Sequence, residues 1–160
     1  MRAVIQRVTR ARVTVEDRAV AEIGPGLVIL VGIAHDDDQA DIDYLAEKTL
    51  NMRIFPPEGP EGEHGGFERS ALDIGAHILL VSQFTLYATT RKGRRPGFSD
   101  AAPADVSGPM FERVAEAFRA SCLRVETGLF GAYMLVELEN AGPATIILDT
   151  ADRRTPRRQA

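Results

Sequence analysis

Apolar positions in this chain fall into distinct kinds of run. Residues 4–15 are rich in β-branched side chains, among them Val4, Ile5, Val8, Val13 and Val15, and read as one long or bulged strand. Glu16-Asp17-Arg18 marks a turn, residues 19–23 a short returning strand, and Gly24-Pro25-Gly26 a second turn. Residues 27–31 (Leu-Val-Ile-Leu-Val) are apolar at consecutive positions, which predicts a strand buried on both faces. The simplest arrangement of these strands is an antiparallel meander.

Beyond them the period changes. Ile42, Leu45, Ala46, Thr49 and Leu50 recur at the spacing of one helix face, and the acidic residues 36–38 suit the positive end of its dipole. A brief strand at 53–55 precedes a Pro- and Gly-rich loop over 56–66, and residues 76–83 predict a buried strand built on Ile78, Leu79, Leu80 and Val81. A polar loop over 89–107 carries Arg91, Lys92, Arg94 and Arg95. Ser107 is the expected N-cap of a second helix, with Pro109 in its first turn and Phe111, Val114, Ala115, Phe118 and Cys122 on its buried face. Residues 131–139 alternate as a strand, Asn140-Ala141-Gly142-Pro143 reads as a turn, and 144–148 form the last strand. The pattern predicts an α+β fold, a mostly antiparallel sheet with two helices, in one domain over 1–150. Residues 151–160, with Arg153, Arg154, Arg157 and Arg158, read as a basic, disordered tail.

Composition narrows the classes. With 160 residues, 44% hydrophobic and 26% charged, the chain has the make-up of a soluble globular domain. A single cysteine excludes an internal disulfide and any multi-cysteine metal site. The longest apolar stretch, 27–34, is far short of the ~20 residues that span a bilayer, and the arginines at 2, 7, 10 and 12 do not suit a signal peptide. The expectation is a cytoplasmic protein without a membrane partner. A net charge of −4 argues against coating DNA or RNA by charge alone, while leaving room for a local basic patch.

Familiar catalytic signatures are missing: the sequence has no Gly-x-Ser-x-Gly elbow, Walker A loop, dinucleotide fingerprint or His-Glu-x-x-His. His35 beside Asp36, Asp37 and Asp38 reads as a turn and an acidic helix start, not a metal site. His77 reads as structural, His64 has no partner in sequence, and Cys122 reads as core packing. Two stretches are less readily explained. Ser82-Gln83-Phe84-Thr85-Leu86 places polar side chains at the end of an apolar strand, either as a strand leaving the core or as a built site. Gly142-Pro143 reads as a turn, and sequence alone does not specify the isomer of its peptide bond.

Taken in order, residues 1–15, Ser82 to Leu86, Gly93-Arg94-Arg95-Pro96-Gly97-Phe98-Ser99, Thr127-Gly128-Leu129-Phe130-Gly131-Ala132 and Asn140 to Thr145 resemble the D-aminoacyl-tRNA deacylases, over nearly the whole chain. The resemblance implies a homodimeric, barrel-like fold with two helices. It implies hydrolysis of the ester joining a D-amino acid, or glycine, to the terminal adenosine of tRNA, without metal or cofactor. Gly142 and Pro143 match the family's Gly-cis-Pro motif, which reaches from one protomer into the other's site. There, carbonyls aimed the same way hold the α-ammonium and crowd out an L side chain, so chirality is read by rejection. Arg7 matches the arginine supporting that motif, and Met134 a pocket position. Ser82, Gln83, Phe84 and Thr85 match the active-site motif. Backbone N–H groups of Gln83, Phe84 or Thr85 are candidates to stabilise the oxyanion, and Thr85 is the candidate nucleophile or water-positioner. No histidine or lysine base lies near Thr85 in sequence, which favours hydrolysis assisted by backbone and RNA. Arg91, Lys92, Arg94 and Arg95 are the expected tRNA phosphate contacts.

The chain departs from common family residues at 67–70, Glu126, Leu129 and Ala144. Two other classes compete. A non-catalytic RNA-binding scaffold would bind charged tRNA without turnover, and a small esterase would cleave free D-amino-acid esters as fast as charged tRNA.

Overall fold

A computed structural model describes residues 1–59, 66–91 and 93–155. Strand β1 (Arg2–Val15) is the spine of the sheet. One of its edges pairs antiparallel with β3 (Gly26–Gly32), from Arg2↔Gly32 to Val8↔Gly26, and further along with β2 (Arg18–Ile23), from Ala11↔Ile23 to Val15↔Arg18. The register runs unbroken from Val8 to Ala11, so β2 and β3 are two segments of one hairpin arm, interrupted at Gly24-Pro25. This corrects the expected meander. The hairpin tip is Glu16-Asp17, both at positive φ (48° and 60°), as a two-residue turn matched to strand twist requires.

From β3 the chain crosses over through α1 (Gln39–Asn51) and the one-turn helix α2 (Ala71–Ile74) to β4 (His77–Ser82), which pairs parallel with β3. It then crosses through α3 (Ala104–Arg119) to β5 (Val125–Thr127), parallel to β4. Helical crossovers permit parallel neighbours where tight turns do not. The sheet is therefore mixed, nearly closed and barrel-like, and not mostly antiparallel. Among the described residues three α-helices stand where two are expected, because a single turn such as α2 shows no period in sequence. Strand β6 (Leu135–Asp149) pairs antiparallel along the other edge of β1.

Apolar side chains fill both faces of β3 and β4, as their consecutive pattern predicts. Ile5, Leu27, Ile29, Ile78 and Leu80 meet α1 and α3 on one face. Val8, Val13, Ile23, Val28, Leu79 and Val81 pack on the other, with Met134, Val136 and Leu138 partly buried against them. The buried face of α1 includes Ile42, Leu45, Ala46, Thr49 and Leu50, the five positions its spacing picks out. On α3, Phe111, Val114, Ala115 and Phe118 are buried, the two phenylalanines and the valine each contributing about 1.5–3 kcal/mol.

Three local expectations are corrected. Helix α3 begins three residues before Ser107, capped by Pro103, and the Ser107 hydroxyl donates to the Pro103 carbonyl at 3.0 Å. Pro109 lies inside the helix. The N–H it lacks would have met the carbonyl of Asp105, an exposed residue. Cys122 is exposed at φ 65°, beyond the end of α3, not on its apolar face. The tail does not begin at 151: Thr150–Arg154 form a 3-10 helix whose Arg153 pairs with Asp41 (2.9 Å) and Asp38 (3.2 Å) at the start of α1. Arg157 and Arg158 lie outside the described residues.

Candidate active site

Ser82 ends β4. The next N–H, of Gln83, donates to the Val31 carbonyl at 2.8 Å and completes the ladder. The chain then tightens into a 3-10 helix, Phe84–Tyr87, with Leu86 N–H donating to the Gln83 carbonyl. Gly32 lets this turn lie against β3: a Cβ there would stand 3.0 Å from Leu86 Cβ and 3.1 Å from the Gln83 carbonyl oxygen. The first N–H groups of a helix have no partner inside it. Those of Phe84 and Thr85 have none among the described residues. Gln83 is thereby corrected as a backbone donor to an oxyanion, because its N–H is committed to the sheet. Its side-chain amide instead donates to the Thr85 hydroxyl.

A cleft of about 560 Å³ opens beside this turn, lined by Ser82, Gln83, Phe84, Phe98, Phe130 and Met134 among others. Phe84 meets Phe98 edge to face, with centroids 5.0 Å apart. Phe130 lies over Gly108 of α3, where a Cβ would stand 3.2 Å from the ring, and neighbours Phe111 at 6.2 Å. Met134 is seated on Gly128, where a Cβ would come within 2.8 Å of the thioether sulfur. Phe98 and Phe130 were not singled out from sequence, although both lie within the motifs that carry the family resemblance.

Gly142 and Pro143 do not form a turn between two strands. They lie within β6, in a bulge where residues 141–144 bow out opposite Arg7, between the pairs Gln6↔Thr145 and Val8↔Asn140. The Gly142–Pro143 bond is cis. The Asn140 side chain closes the neck of the bulge, donating to the carbonyls of Arg7 (3.0 Å) and Ala144 (3.2 Å). The buried Arg7 guanidinium donates to the carbonyls of Ala141 (3.0 Å), Gly142 (3.3 Å), Ile54 (2.6 Å) and Gly66 (3.0 Å), and lies 5.7 Å from the Phe67 ring. Burial draws its pKa below the ordinary guanidinium value. Neither Gly142, Pro143 nor Arg7 lines this cleft.

The basic loop closes through paired backbone bonds between Thr89 and Gly97 (2.8 and 2.9 Å). It leaves Arg91, Arg94 and Arg95 exposed, and none forms an ion pair among the described residues. Lys92 and His64 lie outside those residues. His77 Nδ1 accepts from the Gly24 N–H at 3.1 Å, and His35 Nε2 lies 3.1 Å from the Ser99 carbonyl oxygen, so neither bonds Thr85. Among the described residues no three His, Cys, Asp or Glu side chains gather as a metal site. Among the described residues no helix is long and apolar enough to cross a membrane.

A hydrolase that positions its substrate beside free backbone donors fits this geometry, and comparison with known proteins gives the class. A family model described as D-Tyr-tRNA(Tyr) deacylase matches residues 4–149, and the chain belongs to that family of aminoacyl-tRNA hydrolases. A relative from Roseiflexus sp. (strain RS-1), named D-aminoacyl-tRNA deacylase, is 54% identical over 159 residues, covering 99% of each chain. One of the same name from Kineococcus radiotolerans is 55% identical over 150 residues, 93% of this chain and 99% of its own. Among solved structures, one described as c-Myc DNA Unwinding Element Binding Protein superposes with a TM-score of 0.84 at 38% identity, covering 93% of this chain and 98% of that one. A probable eukaryotic D-amino acid tRNA deacylase shares the fold, with a TM-score of 0.78 at 21% identity, covering 92% and 97%.

Proposed function

We propose that the protein hydrolyses D-aminoacyl-tRNA and glycyl-tRNA in the cytoplasm, as a homodimer whose Gly142-Pro143 bulge enters the cleft of the partner protomer. The observation that carries the cross-subunit reading is that the bulge is rigidly held by Arg7 yet does not line the cleft of its own protomer. An exposed apolar row on the sheet supports the dimer reading. Ile147 is 79% exposed and lies in one cross-strand row with Val4 and Leu30, while among the described residues β6 pairs only with β1.

In this reading the terminal adenosine lies in the cleft against Phe130 and Met134. Water attacks the ester carbonyl carbon, and the N–H groups of Phe84 and Thr85 receive the oxyanion. The acyl–oxygen bond to the ribose then breaks, releasing the amino acid and tRNA. Thr85, held by Gln83, orients the water or the ribose hydroxyl and forms no covalent intermediate. The partner's Gly142 and Pro143 carbonyls take the α-ammonium and fill the space into which an L side chain would project. A D side chain points away, and glycine has none to exclude. Arg91, Lys92, Arg94 and Arg95 contact tRNA phosphates.

The test is a deacylation assay on D-Tyr-tRNA, L-Tyr-tRNA and Gly-tRNA, with sedimentation of the same preparation. Cleavage of the D- and glycyl esters by a dimer, with the L-ester spared, is expected. A fully active monomer would remove the cross-subunit arrangement, and equal cleavage of both Tyr-tRNAs would remove the chiral gate.

A further inference from the structure

Tyr133 is the most exposed large hydrophobic side chain among the described residues, at 89%, and it lines the cleft. Its neighbours are committed to packing: Met134 rests on Gly128, Phe130 on Gly108 and Phe84 against Phe98. Tyr133 has no aromatic or cationic ring partner among the described residues. It adds nothing to either core cluster, so core packing gives no reason for an aromatic here. A cleft of about 560 Å³ suits one small-molecule-sized group, here the terminal nucleoside with its acyl group. The rest of the single-stranded 3′ end must leave the cleft past its lining.

We propose that Tyr133 is a stacking platform for the nucleotide 5′ of the terminal adenosine, a second base subsite. This rests on the aminoacyl-tRNA reading given above. Single-stranded RNA is held by bases splayed onto aromatic faces, and a stacked base tolerates any identity. Tyr133 is thus a positioning residue. It fixes the direction in which the strand leaves the site, while the chemistry stays with the backbone donors at 84 and 85.

The experiment compares wild type, Tyr133→Ala and Tyr133→Phe on D-Tyr-tRNA and on 3′-O-D-tyrosyl-adenosine, which lacks the preceding nucleotide. Tyr133→Ala is expected to raise KM for the tRNA about tenfold, with kcat little changed, and to lower kcat/KM for the tRNA about tenfold more than for the nucleoside ester. Tyr133→Phe, which keeps the ring, is expected to restore wild-type kinetics. Equal losses on the two substrates, or no rescue by Phe, would overturn the subsite. So would a Tyr133→Ala variant that sediments as a monomer, which would place the ring in the dimer contact. If wild type cleaves neither substrate, the underlying reading fails instead, and that outcome is separate from the behaviour of the variants.

Discussion

Arg7 Nε donates to the carbonyl oxygen of Ala141 at 3.0 Å, joining positions 134 residues apart in sequence. The same guanidinium serves three further carbonyls, so a planar fork of donors organises the bulge that carries Gly142 and Pro143. Lysine offers a compact charge on a flexible stem and does not reproduce that fork. Arg7→Lys is therefore expected to lose about 1–3 kcal/mol of stability in urea unfolding through carbonyls left unpaired, and to lose deacylation more than the stability change explains.

Gly142 has room for a methyl group. Among the described residues a Cβ there would meet only Asn140 Oδ1, at 3.7 Å, an ordinary contact. Gly142→Ala is expected to leave unfolding within about 0.5 kcal/mol of wild type while reducing cleavage of D-Tyr-tRNA. Unchanged activity would show that nothing outside the protomer approaches this position closely.

The Thr85 hydroxyl is bonded to an amide, not to a base. Thr85→Ala is expected to retain activity within about tenfold, measured under single turnover. A loss of about 10²–10⁴ would give the hydroxyl a direct chemical part.

Arg94 and Arg95 stand exposed on the loop closed by Thr89 and Gly97. Replacing both with Ala is expected to raise KM for charged tRNA. The dependence of log(kcat/KM) on log salt should become shallower by about one for each phosphate that the variant no longer neutralises.

Asp41 is pulled two ways. Burial raises its pKa, but hydrogen bonds from Arg153, Thr150 and Asp38 outweigh this and hold the carboxyl below its ordinary range. A depressed carboxylate stabilises the fold above its unfolded value and loses that contribution as pH falls through the folded one. Acidification below about pH 4 should therefore weaken the docking of the C-terminal 3-10 helix on α1. Arg153→Met is expected to be less stable than wild type at pH 7 and to lose less on acidification, in urea unfolding across that range.

Elements with strong local patterns were legible in sequence. The consecutive apolar run in β3 announced burial on both faces, and the spacing from Ile42 to Leu50 defined the inner face of α1. What escaped was decided by long-range pairing. Asn140 to Pro143 has the composition of a turn, but β1 pairs on either side of it and keeps β6 one strand. The unbroken register across Gly24-Pro25 depends on β1 in the same way. Serine is a better local cap than proline, yet α3 starts at Ala104 with Pro103 at its N-cap, and the Ser107 hydroxyl is spent on the Pro103 carbonyl inside the helix. At the site, the motif 82–86 and Met134 could be quoted from sequence. The commitment of the Gln83 N–H to Val31 could not, because it depends on where β3 ends.

Arg7 also clasps the chain at Ile54 and at Gly66 with a single nitrogen. The two ends of the intervening stretch are fixed by a side chain rooted in β1, and the antiparallel bridge between Phe55 and Arg69 reinforces them. Within that stretch Pro56 and Glu58 also hold Arg69, so the residues left free of these anchors begin after Glu58. This segment is where the chain can be lengthened, or a reporter peptide spliced in, with the bulge at Gly142 left in place.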